Sequence, residues 1–528
     1  MELVRAMVKI FRLIFVLCAL HPLGCYGDQW PNLPITISTP GVNASSQQIA
    51  VDPHGNVVAV WIENGLVQSN SATVTGGWTS NITTISGSVA STPQVAIDLN
   101  GKATAVWVEN GTIKASQQVL NGNWSTSVVI SGSGASTPQL AVDQSGNLVS
   151  VWVEGGIIKS NTCLVGGSWA GSPDTLSLSG AFAPQVAIGG NGVVIAVWQA
   201  QGSTTGAICS VSKMLGGTWT SPAVISATNV NSSYPQIAVD ASGNAVCAWF
   251  SYQLTGSVYS NVVVQSSSQP SGGSWSSPVN ISKAGVRNPA DLALCVGIGP
   301  NDTAIAAWTT SYDGSFFNCE WCVCSGESWS TSYTMVSQNL LTYAIDMATV
   351  PKGDAFLVWM NYAPSSSSLS IQGAVNDLSA ISRIFFNPST LSNSNSNAYP
   401  VVALSSLDPN LYLVSAWVSF NSTNNVIQAV ITGFTFTQPP VNLSVTPEIN
   451  NFGVLSEIYN VLNWEPSPSA EVVNYLIYRD GICLGCVNAN TFTFSDQNRT
   501  VGETVTYGVI STDSQGCQSA PITLTFTN

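Results

Sequence analysis

A tryptophan recurs along this chain at a spacing that few folds can accommodate. It stands at Trp61, Trp107, Trp152, Trp198, Trp249, Trp308, Trp359 and Trp417, with gaps of 45 to 59 residues. The second copy shows the whole unit, from Thr92 to Ser131: TPQVAIDLNGKATAVWVENGTIKASQQVLNGNWSTSVVIS. A Pro-Gln pair opens an apolar run, and a Gly turn leads into a second run ending at Val-Trp. A polar strand and a Gly-x-Trp turn follow. The second tryptophan recurs at Trp78, Trp124, Trp169, Trp219, Trp275 and Trp329, and one more copy, Trp30, precedes the first unit. Repeats of this length must be read before any single residue, because one copy cannot bury its own apolar face.

A period near 50 residues with four short strand patterns per copy predicts a β-propeller. Ala103–Val108 carries apolar residues on both faces, as expected of a strand sandwiched between neighbours. The unit after Trp417 has no outer strand of its own, whereas Gly27–Ser38 is an outer strand without a unit. The expected architecture is therefore all-β: an eight-bladed β-propeller over residues 28–437, closed by its N-terminal strand. The pattern breaks at Gln438-Pro439-Pro440, and residues 438–528 are expected to form a β-sandwich.

Charged residues make up 8% of the chain and the formal net charge is −14. No basic cluster is present, which argues against a nucleic acid or an anionic membrane surface as partner. Residues 1–27 fit a secretory signal: Arg5, Lys9 and Arg12 precede the apolar stretch Leu13–Leu20. That stretch is too short for a transmembrane helix. Leu23-Gly24-Cys25 allows a lipid anchor at Cys25, although Pro22 departs from the usual pattern. A secreted or surface-displayed protein, monomeric, is expected. Of twelve cysteines, Cys319, Cys322 and Cys324 crowd one polar strand, and Cys483, Cys486 and Cys517 lie in the last segment. On a regular strand the thiols of Cys483 and Cys486 point to opposite faces, which speaks against a redox role, and separate groups without His ligands speak against a zinc site.

Asp52, Asp98, Asp143 and Asp240 recur before a Gly and are expected to cap turn amides. Glu63, Glu109 and Glu154 each follow an inner tryptophan by two. Their repetition argues against catalysis, and they are expected to be solvated loop residues. His54 is the one histidine beyond the leader and sits in a turn, so a His-dependent nucleophile is not expected. No metal, cofactor or catalytic residue is assigned.

The Gly-Gly-x-Trp turns at Gly216-Gly217-Thr218-Trp219 and Gly272-Gly273-Ser274-Trp275, with Gly76-Gly77-Trp78, resemble the Asp-box turns of sialidase-like propellers, here without the Asp. That family clamps a substrate carboxylate with three Arg. The propeller segment holds only Arg287 and Arg383, so the resemblance implies architecture and not sialidase chemistry. The C-terminal segment resembles a fibronectin type III domain through Val461-Leu462-Asn463-Trp464, Tyr475–Gly481 and Thr506–Ser511. The resemblance implies a core Trp464 and a tyrosine-corner role for Tyr507.

One face of the propeller carries the binding expectation. Gln48, Gln94, Gln139, Gln185 and Gln236 open five successive inner strands, forming a partial ring of amides at the channel mouth. Phe182, Tyr234, Tyr343 and Tyr399 lie in the neighbouring loops, and Arg287 supplies a cation. Aromatic faces and amides suit sugar or polypeptide. The expectation is a non-enzymatic adhesin or ligand-capture protein for an extracellular glycan or protein. The alternatives are a carboxylate-dependent polysaccharide glycosidase or lyase, or a structural envelope protein.

Overall fold

The computed structural model describes residues 33–119, 122–201, 205–299, 303–312, 317–325, 328–334, 341–350, 354–364, 366–377, 389–392, 396–407, 410–435, 438–451, 456–469, 471–513, 519 and 521–528. Trp30, the signal region and Cys25 lie outside them. The fold is all-β and propeller-like, with one short 3-10 turn at Pro289–Asp291. Chain contacts divide it into two units, one within residues 30–379 and 388–435, the other including 436–528. Among the described residues no helix is long and apolar enough to cross a membrane.

Among the described residues the larger unit holds eight antiparallel sheets of four or five strands; in seven of them the strands a to d follow chain order. Their a strands are Ala44–Val51, Ala90–Ile97, Ala135–Val142, Ala181–Ile188, Asn231–Val239, Leu294–Ile298, Leu341–Thr349 and Asn397–Leu407. Each a strand touches the next, and the eighth touches the first. The outer strand of the eighth sheet comes from the chain start: Ile35 pairs with Ala429 and Thr36 with Gln428.

The tryptophans explain the circuit. Trp107 packs against Val60 and Val67 of the preceding sheet. Trp152 does so against Val106 and Ile113, Trp198 against Val151 and Ile158, and Trp61 against Ala416 and Ile427 of the eighth. All eight inner rings are fully buried. Each covers ~150–250 Å², roughly 4–6 kcal/mol of gross burial. Ile37 shares the cluster that joins the first and eighth sheets. Ile37→Ala is expected to cost about 2–4 kcal/mol, read as a lower urea midpoint with an unchanged slope.

The acidic turns are tied as expected. Asp52 Oδ1 accepts the amides of His54 and Asn56 at 2.9 and 2.8 Å. Asp143 and Asp240 repeat the pattern, and Gly55, Gly146 and Gly243 take positive φ.

The glutamates are not solvated. Glu109 is 2% exposed. Its Oε2 accepts the Trp107 indole N–H at 2.8 Å and the Gly87 amide at 3.3 Å, and Oε1 accepts Ser88 and Lys114. Glu63 holds Trp61 and the Thr39 amide, and Glu154 holds Trp152 and the Gly132 amide. Burying a Trp N–H without an acceptor is costly, and the same carboxylate fixes the loop entering its sheet.

The smaller unit has a three-stranded sheet of Val441–Asn451, Ser456–Glu465 and Thr493–Arg499. Its second sheet runs in the order Ile482–Asn488, Val472–Arg479, Thr504–Asp513, Ile522–Thr527. Trp464, Tyr475 and Tyr507 share its core. The Tyr507 hydroxyl donates to Asp496 at 2.6 Å and accepts from Asn460 at 3.0 Å. Asp496 also pairs with Arg479 and Arg499. Tyr507 thus reaches a buried ion network and not the loop backbone that a tyrosine corner would engage.

Candidate functional site

Strand register puts the repeat positions on one level. Gln48, Gln94, Gln139, Gln185 and Gln236 each pair with the residue before an inner tryptophan: Val60, Val106, Val151, Val197 and Ala248. The same position in the sixth, seventh and eighth sheets is Cys295, Asp346 and Val401. The inner circuit therefore carries five amides, a thiol, a carboxylate and an apolar side chain. Asp346 and the five glutamines are all half-buried.

Asp346 departs from ordinary carboxylate behaviour. Burial pushes its pKa up to about 6, opposed by two backbone amides. Those amides are Met347 N–H to Oδ1 and Val402 N–H to Oδ2, each at 2.9 Å. A carboxyl that titrates near 6 can both give and take a proton at working pH.

The predicted aromatics take a common backbone device. Just before the ring position, Ser46, Thr92, Thr137, Ala183, Tyr234 and Tyr399 adopt φ near +50°, and each inner strand bulges there. That conformation is costly for a bulky residue. Tyr234 and Tyr399 adopt it with side chains 42% and 67% exposed. Phe182, one residue before Ala183, is 39% exposed. No ring or cation contact joins these three to the other candidates among the described residues.

The sixth sheet lacks the device, and the seventh keeps a bulge, between Tyr343 and Ile345, without the positive φ. The 3-10 turn precedes the sixth sheet, and Arg287 just before it lays its guanidinium over Phe317, 5.1 Å from the ring centre. Phe317 in turn meets Tyr343 at 5.0 Å between ring centres. Arg287 and Tyr343 are thus brought together by a residue that belongs to a b–c loop.

Beside them stands a carboxylate that the sequence reading passed over. Glu320 is buried, and its Oε1 accepts the Tyr312 hydroxyl at 2.6 Å. Burial and that carboxylate raise the Tyr312 pKa. Among the described residues, Glu320 Oε2 and the Trp308 indole N–H are both buried without a hydrogen-bond partner. The Glu–Trp bonding of the first three sheets is therefore absent here, and these are two of several buried polar atoms without a partner among the described residues. Phe317 immediately precedes the strand Asn318–Ser325 that carries Glu320, and it touches Tyr343, three residues before Asp346.

No family model matches the chain, and no curated protein does. Solved structures with a similar fold include the polysaccharide lyase Uly1, at 10% identity and a TM-score of 0.42, covering 64% of this chain and 88% of that one. A PL25 ulvan lyase bound to a GlcA–Rha3S oligosaccharide matches at 11% and 0.43, covering 78% and 95%. The GH93 α-L-arabinofuranosidase of Fusarium graminearum matches at 12% and 0.32, covering 56% and 92%. These neighbours are carbohydrate-cleaving enzymes. They favour the carbohydrate-processing alternative, and the expectation of a non-enzymatic adhesin or capture protein, with the expectation that the chain is no enzyme, is corrected.

Proposed function

We propose that the chain is a carbohydrate-processing enzyme, a carboxylate-dependent glycosidase that cleaves a polysaccharide lying over the loop end of the inner circuit. The observation that carries this reading is Asp346, a lone carboxylate with a pKa near 6 among five amides. Asp346 is the general acid, protonating the leaving oxygen. Glu320, which accepts the Tyr312 hydroxyl, supplies the second carboxylate that such cleavage needs. The ring amides of Gln48, Gln94, Gln139, Gln185 and Gln236 bond sugar hydroxyls. Phe182, Tyr234, Tyr343 and Tyr399 offer flat faces to sugar rings. Tyr399→Ala and Tyr234→Ala are expected to raise KM about 5–10-fold with kcat held, consistent with lost binding common to ground and transition states.

A second reading, β-elimination from a uronate, is favoured by Arg287, which could hold a carboxylate at the mouth. The net charge of −14 repels a polyanion, and hydrolysis of a weakly charged polymer is the better fit. Incubating the chain with neutral and uronate-containing polysaccharides distinguishes the two. New reducing ends without a conjugated double bond are expected. Products carrying that double bond would establish elimination instead. No cleavage of any polymer would remove the enzymatic reading.

The finer architecture belongs to the same proposal: an eight-bladed propeller over residues 28–437, a fibronectin type III sandwich over 438–528, and export directed by 1–27. The pairing of Ile35–Thr36 with the last sheet and the three-plus-four strand arrangement of the smaller unit support it.

A further inference from the structure

The first sheet departs from the others at one buried position of its inner strand. Each of Ser46, Thr92, Thr137, Ala183, Tyr234 and Tyr399, the residues of positive φ, is followed by a buried residue. That residue is Pro93, Pro138, Pro184, Pro235 or Pro400 in five sheets and Gln47 in the first. Gln47 is 3% exposed. Its Nε2 donates to the carbonyl of Tyr399, so that the first sheet reaches the eighth. Its Oε1 is buried with no hydrogen-bond partner among the described residues.

An amide is a poor filler for that position. A buried oxygen left without a donor destabilises the fold, and proline fills the same place in five sheets without that cost. What the glutamine adds is its side-chain N–H, and that N–H goes to the carbonyl of a strained residue. Tyr399 holds φ at +52° with 67% of its surface exposed. A bulky residue stays in that region only where its surroundings over-determine it. The bond joins residues 352 positions apart, and it ties the backbone beneath an exposed aromatic ring to a different sheet.

We infer that Gln47 is a positioning residue for Tyr399: its amide holds the strained turn, and the turn presents the Tyr399 ring as a fixed face for a sugar bound between the first and eighth sheets. The inference rests on the carbohydrate reading above. A face ordered before binding loses less conformational freedom when the sugar arrives. Gln47 touches no substrate and acts through Tyr399 alone.

The test uses the full chain with 3-fluorotyrosine placed at position 399, and a panel of neutral polysaccharides: arabinan, xylan, β-glucan and mannan. Without substrate, one narrow fluorine resonance is expected for the parent and a shifted or broadened one for Gln47→Leu. On the polymer that is cleaved, Gln47→Leu is expected to raise KM about 3–10-fold with kcat held, no further than Tyr399→Ala does. The double variant should match Tyr399→Ala, because the two residues act as one unit. Gln47→Pro places there the residue that five other sheets accept, and the same results are expected of it should leucine not fit. A resonance that stays unmoved in a folded variant would overturn the inference, as would an unchanged KM or rises in KM that multiply in the double variant. The fluorine signal needs no cleavage, so the two failures differ. Where Gln47 does not hold Tyr399, the resonance does not move. Where the carbohydrate reading is wrong, the resonance moves but no polymer of the panel is cleaved, and the sugar role falls.

Discussion

Asp346→Asn is expected to lower kcat on a cleavable polysaccharide by about 10²–10⁴-fold, the usual worth of a positioned acid, with little change in KM. The asparagine keeps the shape but has no proton to give. Its effect on stability is expected to be small. One of the two amides held by Met347 and Val402 loses its acceptor, which costs about 1–3 kcal/mol. Removing a half-buried charge works in the other direction. The sign follows from the shift itself: the folded carboxyl, near 6, is raised above its ordinary 3.8. The native state therefore keeps its proton longer than the unfolded chain, and ionising it costs stability as pH rises between those values. In the parent, kcat/KM is expected to fall as pH climbs through about 6, because the acid form is then lost. A pH–rate profile and a urea titration of both proteins decide the matter. An active Asp346→Asn variant with the parental profile would rule Asp346 out as the acid.

Glu109→Ala is expected to destabilise the larger unit by about 3–5 kcal/mol, the cost of removing one partner from a buried charge pair. It strands the Trp107 indole, the Gly87 amide, the Ser88 hydroxyl and the Lys114 ammonium at once. Glu154 is half-buried and holds two donors, so Glu154→Ala should cost less, about 1–3 kcal/mol. Burial raises the Glu109 pKa, and Lys114, Trp107, Ser88 and Gly87 more than reverse this, leaving it below the ordinary 4.5. Its stabilisation is complete above that value and is lost as pH falls through the lower folded one. Urea midpoints for the two variants at neutral pH test the order. Equal, near-zero costs would return these glutamates to the solvated loops first expected of them.

The repeat was legible because burial enforces it. A tryptophan wedged between sheets tolerates little drift, so the inner copies alone marked eight units and the missing outer strand of the last one. Part of the site was legible in the same way. Each ring glutamine lies thirteen residues before its tryptophan, and the same count from Trp308 and Trp359 lands on Cys295 and Asp346. The Pro-Gln signature drew attention to the copies that conform, while the informative residue is the one that does not. Glu320 was beyond such counting. It faces Trp308 across a b–c loop, and those loops vary in length from sheet to sheet. The fate of Glu63, Glu109 and Glu154 was hidden for another reason: a glutamate two residues past a tryptophan looks exposed until the next loop folds over it.

The joint between Ile427 and Ser38 connects residues 389 positions apart. Drawing such distant segments together costs roughly 5 kcal/mol of chain entropy, and nothing offsets that cost until the last sheet exists. During synthesis the opening residues must wait, with an unmated edge at each terminus of a growing arc that neighbouring molecules could capture. The seam is also the natural place for a circular permutation. In the larger unit taken alone, joining residue 435 to residue 33 and restarting the chain at an a–b turn elsewhere would exchange this long-range clasp for a local hairpin and should speed refolding.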